Sequence, residues 1–184
     1  MAQPVFFYDL GDPECYLMAE QITTSLGVVA EWEPIDPGAL GLEVPSPDPT
    51  RLAERAAELG LQALRWPRSW PPDTRRVALA ATYAKRTGRG VSFSLAAFRQ
   101  AFAAGRDLSD LDTVLIAAAA CEMHPSAVIK ALESRSVDGA LAAATSRAAA
   151  AEVAGLPAIQ INGQVFSGPD ALTGATATIR AEVP

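Results

Sequence analysis

The sequence predicts an α/β fold: a four-stranded mixed sheet built from both ends of the chain, with an all-helical insertion between them. Three observations lead there. Runs rich in aromatic and β-branched residues lie near the two ends: VFFYDL at 5–10, VVAEWEPI at 28–35 and PAIQINGQVFSG at 157–168. The stretch from Pro49 to about Ala154 has helical spacing and is rich in alanine. Neither end has enough strands to bury a sheet face by itself. The order β-α-β, helices, β-β-α therefore closes into one sheet.

In chain order, VFFYDL reads as a buried strand that stops at Gly11. Asp12 followed by Pro13 is the N-cap and first-position proline of a helix running to Leu26 and ended by Gly27. Residues 28–35 alternate as a second strand, and 36–49 form a loop rich in proline and glycine. Helices are predicted at 50–59, at 73–86 ended by Gly88, and at 92–104 ended by Gly105. Another runs from a Ser109 cap to Glu122, a further one opens at Pro125, and the last spans 137–154, ended by Gly155. Asn162-Gly163 between two short apolar runs predicts a type I′ hairpin, and a short helix follows it. Residues 1–48 and 155–184 are expected to form the sheet domain and 49–154 the helical insertion.

The chain has 184 residues, 49% of them hydrophobic, enough for a sizeable core. Its 15 basic and 21 acidic residues leave a net charge of -6. That argues against non-specific nucleic-acid binding, which depends on positive charge. No run reaches the roughly 18 apolar residues of a membrane span. Met-Ala-Gln-Pro carries no basic leader, so the cytoplasm is the expected compartment. Two cysteines and one histidine have no metal-ligand spacing, and there is no nucleotide-binding motif, so neither a metal nor a nucleotide is expected.

The turn Gly-Asp-Pro-Glu-Cys at 11–15 is the first candidate site. Asp12 reads either as a helix cap or as an acid–base group. A helix N-terminus should hold its carboxyl low, which makes a weak base and repels a nearby thiolate. Cys15, one turn into the helix, reads as a small core residue, or as a thiol open to mixed-disulfide formation if exposed. Cys121 reads as core, and His124 as a cap or surface residue. The segment 65–76 holds Trp66, Trp70, Asp73, Arg75 and further arginines. Such a set suits an anionic aromatic small molecule, tryptophan stacking and arginine gripping a carboxylate. It equally suits a loop packed by its tryptophans with solvated arginines.

Four segments carry a resemblance: FFYDLGDPECYLMAEQI, WPPDTRRVALAATYA, FRQAFAAGRDLSDLDTVLIAAAA and AGLPAIQINGQVFSGPDAL. In this order they resemble the DsbA-like thioredoxin superfamily, and within it the branch of 2-hydroxychromene-2-carboxylate isomerases and kappa-class glutathione transferases. The resemblance implies a thioredoxin fold, with Pro157 as a cis-proline facing the turn. It further implies that Leu156, Pro157 and Asp170 hold glutathione, Asp170 taking its glutamyl ammonium. Members of the branch often form dimers, so a homodimer is expected. Three positions depart from the pattern. Asp12 stands in place of the nucleophilic cysteine of Cys-x-x-Cys members and of the serine of the isomerase branch. Asp73 replaces an asparagine, and Pro169 a frequent serine. A carboxylate cannot form a mixed disulfide, so the turn performs no dithiol exchange. Two functions stay open: a glutathione- or thiol-dependent isomerase or transferase acting on a small unsaturated acid, and a redox-silent module that binds a peptide or partner without catalysis.

Overall fold

The computed structural model describes residues 2–42 and 46–182. Strand β1 (Val5–Tyr8) leads through α1 (Pro13–Ser25) to β2 (Glu31–Pro34). After a 3-10 turn at Gly38–Leu40 come α2 (Pro49–Glu58), α3 (Arg75–Arg86), α4 (Gly90–Phe102), α5 (Leu111–Ala119), α6 (Pro125–Leu132) and α7 (Arg135–Ala150). Then follow β3 (Ala158–Ile161), β4 (Gln164–Ser167) and α8 (Ala171–Glu182). The sheet order is β2-β1-β3-β4, with β1 parallel to β2 and antiparallel to β3, and β3 antiparallel to β4. This is the expected thioredoxin topology.

Successive residues of β1 point to opposite faces. Phe6 stacks on Tyr8 at 5.1 Å and meets Trp32 of β2 edge-on at 5.1 Å. That face continues into Leu17 and Ile22 of α1, Phe98 of α4 and Ala175 of α8. On the other face Phe7, Ile35 and Ala158 pack against Ala144 and Ala148 of α7. The alanines let α7 lie close to the strands, so the last helix of the helical run covers half of the sheet. Edge strand β2 is tied to the helices by charge. Glu33 accepts from Arg147 of α7 at 2.5 Å and also pairs with Lys85 of α3, which reaches Glu31 at 2.6 Å.

Element ends differ from the sequence reading where a tertiary partner sets them. β1 stops at Tyr8 because the chain turns, with the Asp12 N–H donating to the Asp9 carbonyl at 3.3 Å. β2 begins only at Glu31, since the four residues of β1 pair with four and no more. Asp110, not Ser109, caps α5: its carboxylate accepts the Asp112 N–H at 3.2 Å, while the Ser109 carbonyl accepts from Arg76. The last helix of the run ends at Ala150, not 154. The hairpin has φ of 49° at Asn162 and 82° at Gly163, as a type I′ turn requires. His124 caps α6, its Nδ1 accepting the Ser126 N–H at 3.3 Å. Cys121 is half-buried at the edge of the core.

The Tyr8 hydroxyl and Ser94 Oγ lie 2.7 Å apart and buried, joining the central strand to α4. Tyr8→Phe leaves Ser94 without its partner and should lower stability by about 1–2 kcal/mol in urea unfolding. Adding Ser94→Ala removes the orphaned hydroxyl and should recover part of that loss. Equal stability of wild type and Tyr8→Phe would mean that this bond contributes nothing.

Candidate active site

The turn between β1 and α1 is set by three neighbouring residues. Asp12 has extended backbone angles (φ -95°, ψ 118°) and its side chain accepts the Glu14 N–H at 2.8 Å, with Pro13 at the first helical position. Gly11 packs against the start of α3 so closely that a Cβ there would lie 2.5 Å from Thr74 Cγ2 and 2.8 Å from Pro72 Cγ. Opposite the turn, the Leu156–Pro157 peptide bond is cis. The Pro157 carbonyl accepts the Gly168 N–H at 2.8 Å, which fixes this segment to the end of β4. The N–H and carbonyl of Leu156 make no hydrogen bond among the described residues.

A cavity of about 250 Å³ lies between these pieces, lined by Asp12, Glu14, Arg51, Leu52, Leu156 and Pro169, with Ser46, Pro47 and Pro13. Four separate parts of the chain meet there: the first turn, α2 with the loop before it, the cis-proline segment and the loop after β4. α2 belongs to the wall because its buried Leu52 and Ala56 seat it on the core, leaving Arg51 toward the opening. The Arg51 guanidinium pairs with Glu14. Arg55, one helical turn on, donates to the Pro169 carbonyl at 3.2 Å.

Asp12 is only 8% exposed, and burial pushes its carboxyl up to about 7. The Glu14 N–H opposes that rise, and the nearby Asp9 and Glu14 charges add to it. The sequence reading, in which the helix N-terminus holds this carboxyl low, is therefore corrected. Removing the carboxylate from water outweighs the pull of the helix end. Cys15 is fully buried, and burial, with the nearby Asp12 charge adding to it, raises its thiol well above the ordinary value. It does not line the cavity.

The remaining sequence-selected residues divide. Leu156 is on the cavity wall and Pro157 is buried beside it. Asp170 is exposed, next to the lining residue Pro169, and its carbonyl accepts the Thr173 and Gly174 N–H groups in the first turn of α8. The loop before α3 packs on the turn through Pro72 and Thr74, but Trp66, Trp70, Asp73 and Arg75 do not line the cavity. Trp66 meets Trp70 edge-on at 5.5 Å and Phe102 at 6.3 Å, both tryptophans half-buried against the core. Asp73 accepts the Arg75 N–H at 3.1 Å. The Arg75 guanidinium pairs with Asp36 at 2.7 Å and Asp138 at 2.5 Å, beside a separate cleft against α7. A larger cleft of about 630 Å³ between α3, α6 and α7, lined by Tyr83, Lys130 and Val137, contains none of these residues.

Arg51, Glu14 and Asp9 escaped sequence reasoning. The i, i+4 pair Arg51 and Arg55, on a helix opened by Asp48 and Pro49, marks a charged helix face but not what it faces. Asp9 sits inside an apolar run, an anomaly of composition that signals a buried acid.

A family model described as DSBA-like thioredoxin domain matches residues 5–179. No curated protein matches the chain. Among solved structures, a 2-hydroxychromene-2-carboxylate isomerase superposes with a TM-score of 0.85 at 16% identity, over 98% of this chain and 95% of that one. A probable DsbA oxidoreductase from Streptomyces coelicolor gives 0.79 at 19% identity, over 97% and 88%. The cytosolic disulfide reductase DsbM from Pseudomonas aeruginosa, solved with GSH, gives 0.69 at 13%, over 99% of each chain. At these identities the likeness is one of fold. Among the described residues no helix is long and apolar enough to cross a membrane, and no cluster of potential metal ligands is present.

A carboxyl raised above its unfolded value binds protons more tightly in the folded protein. Its contribution is complete below the unfolded value near 3.8 and is lost as pH rises through about 7 for Asp12 and about 6 for Asp9. Stability should therefore fall by a few kcal/mol between about pH 4 and pH 8. Asp12→Asn keeps the cap and should flatten that slope, whereas Asp12→Ala should in addition lose about 1 kcal/mol of capping. Urea midpoints across the pH range measure both; a wild-type slope unchanged in Asp12→Asn contradicts the raised carboxyl.

Proposed function

The chain belongs to the DSBA-like thioredoxin domain family, and from that premise we propose that it is a glutathione- or thiol-dependent isomerase or transferase acting in the cytoplasm on a small unsaturated, aromatic acid. The observation that carries this reading is the cavity between Asp12 and Leu156. It joins a buried acid–base group and a helix N-terminus to a free backbone edge. The Leu156 N–H and carbonyl suit the peptide backbone of glutathione, laid alongside as an added strand. Asp170, next in sequence to the lining residue Pro169, is the carboxylate assigned to its ammonium, and Arg51 on the wall is a guanidinium for a carboxylate.

The raised carboxyl makes the chemistry workable. A free thiol ionises near 8.5 and an ordinary aspartate near 3.9, so moving the thiol proton to such an aspartate costs roughly 6 kcal/mol. With Asp12 at about 7 the same transfer costs about 2 kcal/mol. The thiol S–H gives its proton to Asp12, which is then neutral and donates a hydrogen bond back to the thiolate. The first turn of α1 adds its positive end. Sulfur adds to the β-carbon of the activated C=C, the π pair moves onto the carbonyl oxygen, and the former double bond rotates. Collapse of the enolate expels the thiolate, which recovers its proton from Asp12. In a transfer reaction, Asp12 instead protonates the α-carbon and the thioether is released.

Glutathione titrated to millimolar concentration should raise the melting temperature, by several degrees at about 100 times Kd. Asp12→Asn should still bind it, but should lose glutathione-dependent turnover of an α,β-unsaturated acid by about 100-fold or more. No thermal shift with millimolar glutathione would sink the reading. The same free edge at Leu156 also suits an extended peptide. A shift with short peptides and none with glutathione would favour the redox-silent binding module instead.

A further inference from the structure

The cleft of about 630 Å³ between α3, α6 and α7 takes no part in the proposed chemistry and shares no lining residue with the Asp12 cavity. Ala78 of α3, Ala131 of α6 and Val137 and Leu141 of α7 form an apolar cluster of their own, with Tyr83 at its edge. Tyr83, Ala131 and Val137 also line the cleft and give it an apolar floor. α6 and α7 are joined by a turn at Glu133 and Ser134, and the cleft opens between them and the last turn of α3. Alanine at 127 and 131 leaves space that a larger side chain would fill. The volume falls within the range of about 300–1,000 Å³ that takes a small organic molecule.

The charges of this lining do not cancel. Arg86 and Lys130 stand against one acid, Glu133, in a chain whose net charge is -6. Among the described residues Lys130 pairs with no acid, not even with Glu133 one turn along its own helix. The Arg86 side chain makes one hydrogen bond among them, from Nη1 to Ser136 Oγ at 3.1 Å. Ser136 lines the cleft too, so this bond steadies the guanidinium on the wall and leaves its other N–H donors without an acceptor. Ser134 and Ser136 place two hydroxyls 3.1 Å apart beside it. An apolar floor with two unpaired cations and two hydroxyls fits a ligand with a flat apolar body and one anionic group. We propose that the cleft is a second small-molecule site, which takes an amphipathic organic acid with its body on Tyr83, Ala131 and Val137 and its carboxylate on Arg86 and Lys130. It binds such an acid whether or not the Asp12 cavity takes glutathione.

Naphthoate titrated into the full chain tests this, read by amide chemical shifts in NMR, with naphthylmethanol as the neutral control. Saturable shifts at residues 83–87 and 127–137 are expected with the acid, and weaker binding with the alcohol. Raising salt should weaken the acid and leave the alcohol unchanged. Arg86 and Lys130 are exposed, so Arg86→Gln and Lys130→Gln keep the fold. Each should weaken naphthoate binding by roughly threefold to tenfold, and the two together should bring it down to that of the alcohol. Equal affinity for acid and alcohol, or unchanged affinity in the double variant, would overturn the proposal. So would no shift at millimolar naphthoate, or shifts confined to the Asp12 cavity. Shifts of the cleft residues that follow protein concentration without ligand, with a doubled mass in sedimentation, would mean that a second copy covers this face, and would overturn it as well.

Discussion

Strand β1 has no face open to water, and covering it on both sides places the other elements. Phe6 and Tyr8 demand a layer on one side, and α1, α4 and α8 supply it; Phe7 demands one on the other, and α7 supplies that. Its two hydrogen-bonding edges are taken by β2 and β3, which come from distant parts of the chain. The strand is consequently short and deeply buried, and whatever follows it starts inside the protein. Asp9, Gly11 and Asp12 inherit that burial from the strand they extend.

Burial then decides the electrostatics of the turn. A helix N-terminus favours a nearby carboxylate by about 0.3–1 kcal/mol. A carboxyl displaced from an ordinary value to about 7 represents on the order of 4 kcal/mol against the charged form. Desolvation wins by a wide margin, and the like charge of Asp9 adds to it. The same position in a shallower turn would carry a plain anionic cap. Here it carries a carboxyl that gains or loses a proton near neutrality, which is what an acid–base role requires.

The cavity shows a division of labour among segments far apart in sequence. The first turn contributes the buried Asp12 carboxyl, the cis-proline segment a backbone edge, and α2 a cation held by Glu14. Arg75 and the two tryptophans, which as residue types suit a substrate grip, are engaged elsewhere: the arginine by Asp36 and Asp138, the tryptophans by each other and Phe102. Both arginines keep about half of their side chains in solvent, but Arg51 lines this cavity and pairs with one acid, whereas Arg75 is held by two acids outside it.

Strand order, the alternation of β1, the cap at Asp12 and the turn at Asn162-Gly163 were legible in the sequence, because each follows from local chemistry or a short period. The resemblance of AGLPAIQ to a known pattern made the cis bond at Pro157 legible too, which the dipeptide alone does not. The protonation of Asp12 was not legible. A cap reads the same at the surface and in the interior, and the difference is set by Pro72 and Thr74, some sixty positions away, packing on Gly11. Nor could residue types assign Arg51 to the cavity and Arg75 to Asp36, since long-range ion pairs leave no periodic trace. Local hydrogen bonding and hydrophobic spacing are properties of the chain; the depth of a charge and its partners are properties of the packed molecule, because solvation and Coulomb energy depend on distance through space.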